Sequence, residues 1–152
     1  MPGCCLSPRQ KYKILLQSLF EAITLVKISK MKVLVVDNEV QFAATLAARL
    51  QLCKVLAESV FSGEEALAAI PVFLPDVIVL DLQMPDMTGL EVLARVKVID
   101  PSIEVILLTG NGSFDVGIKS MELGAFDYIF KPVDLFSLME RINDAYNKRK
   151  GK

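Results

Sequence analysis

Four residues that can handle a phosphoryl group stand where apolar runs end. Asp37 follows 33–36, Asp81 follows Val77, Ile78, Val79 and Leu80, Thr109 follows 103–108, and Lys131 follows 127–130. Two neighbouring carboxylates repel unless a cation binds between them, and an oxygen-rich site with few carboxylates suits Mg²⁺. A hydroxyl and an ammonium at the same edge stabilise phosphoryl oxygens by hydrogen bonding and charge. Carboxylates are nucleophiles in aspartyl-phosphate chemistry, so Asp81 is the group predicted to be phosphorylated. Alone, Asp81 would be no more than a strand end opening a turn. The set of four carries the functional reading.

The elements that must position these residues are legible from periodicity. The run before Asp81 is apolar on both faces, as a strand covered on both sides requires. Strands are predicted over 33–36, 55–60, 77–80, 103–108 and 127–130. Helices are predicted over 40–52, from the Ser62-x-x-Glu65 capping box through Ile70, over 89–99, from Ser113 through Leu123, and from Asp134 to about Lys148. Thr88 and Glu91 form a second capping box, Pro71 and Pro75 bracket a loop, and Gly124 is a helix stop. Strands alternating with helices predict an α/β fold with a doubly wound five-stranded parallel sheet, three layers α/β/α. The order 2-1-3-4-5, flavodoxin-like, places the working crevice beside strands 1 and 3, so Asp37 and Asp81 should be neighbours.

Composition narrows the function classes. The chain has 152 residues, 53% hydrophobic and 23% charged, with a formal net charge of -1. That size suits one domain, and the balance offers no global field for nucleic acid or anionic membrane. Direct DNA binding is not expected. The absence of histidine removes His-based triads, His-ligated zinc and an internal phosphohistidine donor. Cys4, Cys5 and Cys53 are odd in number and lack metal-ligand spacing, which fits a reducing, cytoplasmic compartment. No apolar run reaches transmembrane length, so no membrane span is predicted.

Residues 1–30 form an N-terminal extension unlike the rest. Met1 to Gln10 shows no periodicity, whereas Tyr12, Leu15, Leu16, Leu19, Ile23 and Val26 suit an amphipathic helix from Lys11 to Lys30. Two readings stand: a docking or dimerising helix, and a stretch upstream of a natural start at Met31. The domain proper is expected over 31–149, and 150–152 form a basic tail. Residues 147–152 read most simply as a solvated helix end whose cations favour the helix dipole.

The segments VLVVDNE, VIVLDLQMPDMTGLE, VILLTGNG and AFDYIFKP resemble the receiver domain of two-component response regulators, over Met31 to about Lys148. The likeness implies a stand-alone receiver similar to the chemotaxis regulator, with no output domain of its own. It implies a phosphoacceptor switch rather than an enzyme. Asp81 would take phosphate from the phosphohistidine of a partner histidine kinase or His-containing phosphotransfer protein. Asp37, Asp81 and the backbone carbonyl of Gln83 would hold Mg²⁺. Thr109 and Lys131 would bind the phosphoryl group, Tyr128 would be the aromatic switch residue, and Lys131-Pro132 would be a cis peptide. A downstream protein target would engage the last strand and helix. Gln83 and Asn111 resemble positions that influence phosphoryl lifetime.

One position departs from the family pattern. Receivers usually carry two adjacent acids after the first strand, and here the pair is Asp37-Asn38. Asn38 supplies an amide oxygen in place of a charge, so weaker Mg²⁺ binding is predicted. Asn38 would also serve as the cap of the next helix, with Gln41 as its N3 partner. The departure raises the alternative of a pseudo-receiver, an interaction module not regulated by phosphorylation. A phosphotransferase with a D-x-D motif is disfavoured because Gln83 occupies the second acid's place. Dinucleotide binding is disfavoured because no G-x-G-x-x-G follows the first strand. Gly110-Asn111-Gly112 reads as a mobile loop rather than a phosphate cradle, and Phe130, Phe136 and Met139 as packing.

Overall fold

Each apolar run forms a strand, and the five strands join in one parallel sheet of order β2-β1-β3-β4-β5. The computed structural model describes residues 6–28 and 31–151, and the chain divides into two compact units, Met1–Lys30 and Met31–Lys152. In the second unit the order is β1 (Lys32–Val36), α2 (Val40–Leu52), β2 (Leu56–Val60), α3 (Gly63–Phe73), β3 (Val77–Asp81), α4 (Gly89–Ile99), β4 (Glu104–Thr109), α5 (Phe114–Glu122), β5 (Asp127–Phe130) and α6 (Leu135–Lys150). The first unit holds α1 (Pro8–Ile28).

The period of two along each strand divides the core into two sides. Val33, Val35, Val77, Val79, Ile106 and Leu108 pack with Ala43, Leu46 and Leu50 of α2 and with Leu138 and Ile142 of α6. Leu34, Val36, Ile78, Leu80, Val105 and Leu107 pack with Ala66 and Ile70 of α3 and with Val92, Leu93 and Val96 of α4. All five residues of β3 are buried, which its unbroken apolar run requires. This is the doubly wound three-layer α/β/α sandwich expected from the sequence. Its register pairs Val36 with Leu80 and Asp81 with Leu108, so the ends of β1, β3 and β4 lie along one edge.

Local signals set most helix starts. Thr88 and Glu91 make both bonds of the capping box, at 3.3 and 2.9 Å. Ser62 Oγ accepts the Glu65 N–H, and Ser113 and Asp134 cap α5 and α6. Gly124 has φ +97, in the region that favours glycine, just after α5.

Four expectations need correction. Asn38 does not cap α2. The N-cap is Glu39, without a side-chain bond, because Asp37 Oδ1 already accepts the Glu39 N–H at 2.9 Å and carries the turn one residue further. Helix α3 does not stop at Ile70 but runs through Pro71 to Phe73, closing on Leu74 at φ 55 with its N–H on Ile70 O. A proline in the last turn forfeits one ladder bond, which the packed Ala66–Ile70 face outweighs. Residues 147–151 are not merely a solvated end. Arg149 binds Asp76 at 2.6 Å and approaches Asp100 at 3.6 Å, and Lys148 lies 3.7 Å from the buried Glu104. Finally, α1 begins at Pro8 rather than Lys11. Ser7 and Gln10 bond reciprocally, a capping box ahead of a proline at the first helical position. Cys4, Cys5 and the end of the expected helix at Lys30 lie outside the described residues. Among those residues, no helix is long and apolar enough to cross a membrane.

Candidate functional site

The sheet edge brings Asp37, Asp81 and Lys131 into direct contact. Lys131 Nζ donates to Asp37 Oδ2 at 2.8 Å and lies 3.5 Å from Asp81 Oδ1. Both carboxylates are buried, with Asp37 1% and Asp81 6% exposed. Lys131 reaches them because it follows β5 directly and its backbone N–H bonds Thr109 O at 2.7 Å. Its peptide with Pro132 is cis. The ammonium also stands 4.4 Å from the centroid of the Phe42 ring, a cation–π contact from the first turns of α2.

Electrostatics reflect two acids sharing one cation. Burial and the Asp37 carboxylate push the Asp81 carboxyl above the usual carboxylate range, while Lys131 and the Gln83 backbone N–H pull it back. Burial alone would lower Lys131. Its hydrogen bond to Asp37 and the charges of Asp81, Asp37 and Glu39 outweigh burial and hold it above the usual lysine value.

The remaining candidates sit around this centre. Thr109 is buried at the end of β4, and its hydroxyl accepts the Asn111 N–H at 3.2 Å. That bond leaves the hydroxyl proton available to a further acceptor. Gln83 and Asn38 are exposed on the two loops that leave β3 and β1. Tyr128 is half-buried on β5, edge-to-face with Phe130 at 5.4 Å, and its hydroxyl is buried without a hydrogen-bond partner among the described residues. A Cβ on Gly112 would overlap that hydroxyl, so the loop passes over Tyr128 only as glycine.

Oxygen donors suit a hard cation here, and two buried carboxylates with one lysine leave negative charge for it to balance. The fit is partial in one respect. Among the described residues, no group of three acidic, histidine or cysteine side chains gathers, and Asn38, next to Asp37 in the chain, carries an amide in place of a charge.

Sequence reasoning did not single out Phe42, whose ring lies beneath the Lys131 ammonium. It read Gly112 only as part of a mobile loop and not as the residue whose missing Cβ makes room for the Tyr128 hydroxyl. The packing expected of Phe130 and Phe136 is corrected: they are 56% and 80% exposed, whereas Met139 does pack on the core. Phe130 borders an apolar groove of about 670 Å³ with Phe114, Ile118, Met121 and Tyr128.

Sheet order and edge chemistry define a doubly wound α/β domain with an acidic pocket at its topological switch point. A family profile described as response regulator receiver domain matches residues 33–143. The chain belongs to the response regulator receiver family. It is 37% identical over 87 residues to the regulatory protein LuxO of Vibrio vulnificus, covering 57% of this chain and 19% of that protein. The chain thus spans about a fifth of the length of the LuxO relatives it matches. A CheY-like receiver domain protein from Methanospirillum hungatei superposes with TM-score 0.77 at 27% identity, over 81% of this chain and 98% of that one. A receiver domain protein from Clostridium thermocellum gives TM-score 0.75 at 34% identity, over 79% and 97%.

Proposed function

We propose that the protein is a phosphorylation switch in which Asp81 accepts a phosphoryl group from the phosphohistidine of a partner kinase or phosphotransfer protein. The observation that carries this reading is the Lys131 ammonium shared between two buried carboxylates, 2.8 Å from Asp37 and 3.5 Å from Asp81. In the transfer, an Asp81 oxygen forms the new P–O bond as the donor's P–N bond breaks, and the imidazole leaves with the electron pair. Lys131 stands where it can follow the charge from Asp37 to the phosphoryl oxygens. The unspent Thr109 hydroxyl proton can be donated to the same group.

Asp37, Asp81 and the Gln83 carbonyl are the residues that would hold Mg²⁺. When bound, the ion supplies charge neutralisation to phosphoryl oxygens. Drawing Thr109 toward the phosphate would vacate space beside Gly112 and Tyr128, biasing an existing inactive–active equilibrium. The β5–α6 side, with Phe130 exposed at the α5–β5 groove and Phe136 exposed on α6, is the surface we assign to the downstream protein target.

Mg²⁺-dependent labelling by a small phosphodonor tests this reading in the full chain. Acid-labile label on the native protein, lost in Asp81→Asn, is the expected result. Acid-stable label, or label unchanged by the substitution, overturns it. A second reading rests on Asn38: two carboxylates hold Mg²⁺ too weakly, and the chain is a pseudo-receiver. No label with any donor at high Mg²⁺ would select that reading.

A further inference from the structure

The loop that follows Asp81 is fastened at its tip to the N-terminus of α3. Both carboxylate oxygens of Asp86 accept backbone N–H groups at the start of α3, Gly63 on Oδ1 at 3.2 Å and Glu64 on Oδ2 at 3.1 Å. Ser62 Oγ takes the next one, Glu65, at 3.1 Å. Asp86 and Ser62 therefore divide the orphan donors of α3 between them, one from 22 or 23 residues away and one from the adjoining position. The amides hold the Asp86 carboxyl below the usual range even though its side chain is exposed. Its negative charge also complements the positive end of the α3 dipole.

The neck of the same loop is fixed separately. Gly89 N–H bonds Leu82 O at 2.8 Å, and Leu82 N–H bonds Leu108 O at 2.9 Å. A Cβ on Gly89 would lie 2.6 Å from Asp81 O, so the returning chain passes directly against the backbone of the acceptor residue. Met84 is buried, and Met87 covers Gly63, where a Cβ would overlap it. Gln83 lies between neck and tip, with its N–H acting on the Asp81 carboxylate. The orientation of the Gln83 peptide is thus set by a span anchored at both ends, and only the Asp86 anchor depends on a side-chain charge.

We infer that Asp86 is a positioning residue for the cation site: by clamping the loop tip to the N-terminus of α3, it aims the Gln83 carbonyl at the position shared by Asp37 and Asp81. The inference rests on the reading of Asp81 as a Mg²⁺-assisted phosphoacceptor and adds a residue that touches neither ion nor phosphate. Residues that orient a metal ligand from behind commonly contribute about 10- to 100-fold to affinity. With one carbonyl among several ligands affected, the low end is expected.

The test is a Mg²⁺ titration of the full-length chain, followed by the amide chemical shift of Gln83 and by the rate of labelling with a small phosphodonor. Asp86→Ala is expected to raise the half-saturating Mg²⁺ concentration about tenfold. Asp86→Asn, with one acceptor oxygen in place of two, should fall between it and the native chain. Ser62→Ala is the control, because it removes a cap from the same helix without touching the loop, so it should lower thermal stability and leave the titration unchanged. An unchanged titration in Asp86→Ala overturns the inference, as does an equal shift in Ser62→Ala, which would mean that fraying of α3 is the cause. If Asp86→Ala fails to fold, the Asn variant decides by the same criteria. Absence of Mg²⁺-dependent labelling in the native chain would instead overturn the phosphoacceptor reading.

Discussion

Lys131 donates to Asp37 at 2.8 Å across 94 residues of sequence, tying the end of the last strand to the end of the first. The same ammonium lies 3.5 Å from Asp81, so Lys131→Met would leave two buried carboxylates facing each other without a cation. Removing one partner of a buried pair costs about 3–5 kcal/mol. The lysine side chain keeps 18% exposure, so a loss near the lower figure, about 3 kcal/mol, is expected from urea unfolding in EDTA. Millimolar Mg²⁺ should restore part of the loss if the two carboxylates can hold a cation. A loss below about 1 kcal/mol would place the pair with solvent-screened ion pairs instead.

Asp81 carries a pH signature of opposite sign to that of most paired carboxylates. Its folded pKa is raised above the unfolded value of 3.8, chiefly by burial and then by Asp37. The folded state therefore holds this proton more tightly, and the contribution to stability falls as pH rises from the unfolded value through the folded one. At pH 7 in EDTA, Asp81→Asn should melt above the native chain. The difference should shrink as pH drops back through the folded pKa and vanish below the unfolded one. A variant that melts lower at pH 7 would mean that attraction to Lys131 outweighs burial and Asp37.

The sheet was legible because β1, β3 and β4 are continuous apolar runs ending in Asp37, Asp81 and Thr109, and no other placement buries both faces of such runs. The N-cap at Ser62 and the capping box at Thr88 were legible for the same local reason, although the Glu65 carboxylate accepts the Phe61 N–H instead of the Ser62 N–H that a full box requires. What escaped depends on distant partners. Asn38 has the side chain of a good cap, yet Asp37 determines where α2 starts because Lys131 has already fixed its carboxylate. Pro71 signals a helix end, but the face formed by Ala66 and Ile70 is buried against the sheet and carries the helix three residues beyond Ile70. Arg149 looked like a solvated cation because Asp76 lies 73 residues away. At the sheet's edge, alternation along β5 does not reveal which side is covered, so the exposure of Phe130 was not readable.

Gly112 and Tyr128 form a steric pair that substitution can separate. A Cβ at Gly112 would overlap the Tyr128 hydroxyl and lie 2.8 Å from Thr109 Cγ2. Gly112→Ala should therefore drive the Tyr128 ring outward, seen as greater solvent access in ring-proton NMR. Tyr128→Phe removes a buried hydroxyl that lacks a hydrogen-bond partner among the described residues. It should be neutral or stabilising by up to about 1 kcal/mol, the converse of the penalty for stranding a polar group. If Tyr128→Phe destabilises clearly, the hydroxyl has a partner such as water.

Asn38 can be converted into the acid that most receivers carry at this position. It is exposed beside the buried Asp37, and its side chain makes no cap bond with α2, so Asn38→Asp should disturb neither core nor helix start. The substitution adds a third carboxylate to a site with one lysine, so without metal it adds repulsion with Asp37 and Asp81. With metal, the added charge favours Mg²⁺, which dehydrates reluctantly and gains from carboxylate ligands. The two effects predict a crossing: Asn38→Asp melts below the native chain in EDTA and at or above it in millimolar Mg²⁺. Half-saturation for phosphodonor labelling should fall to lower Mg²⁺ concentration at the same time. An unchanged titration with an unchanged melting temperature would mean that position 38 faces away from the cation, and that the native pair of carboxylates already holds Mg²⁺ as well as three would.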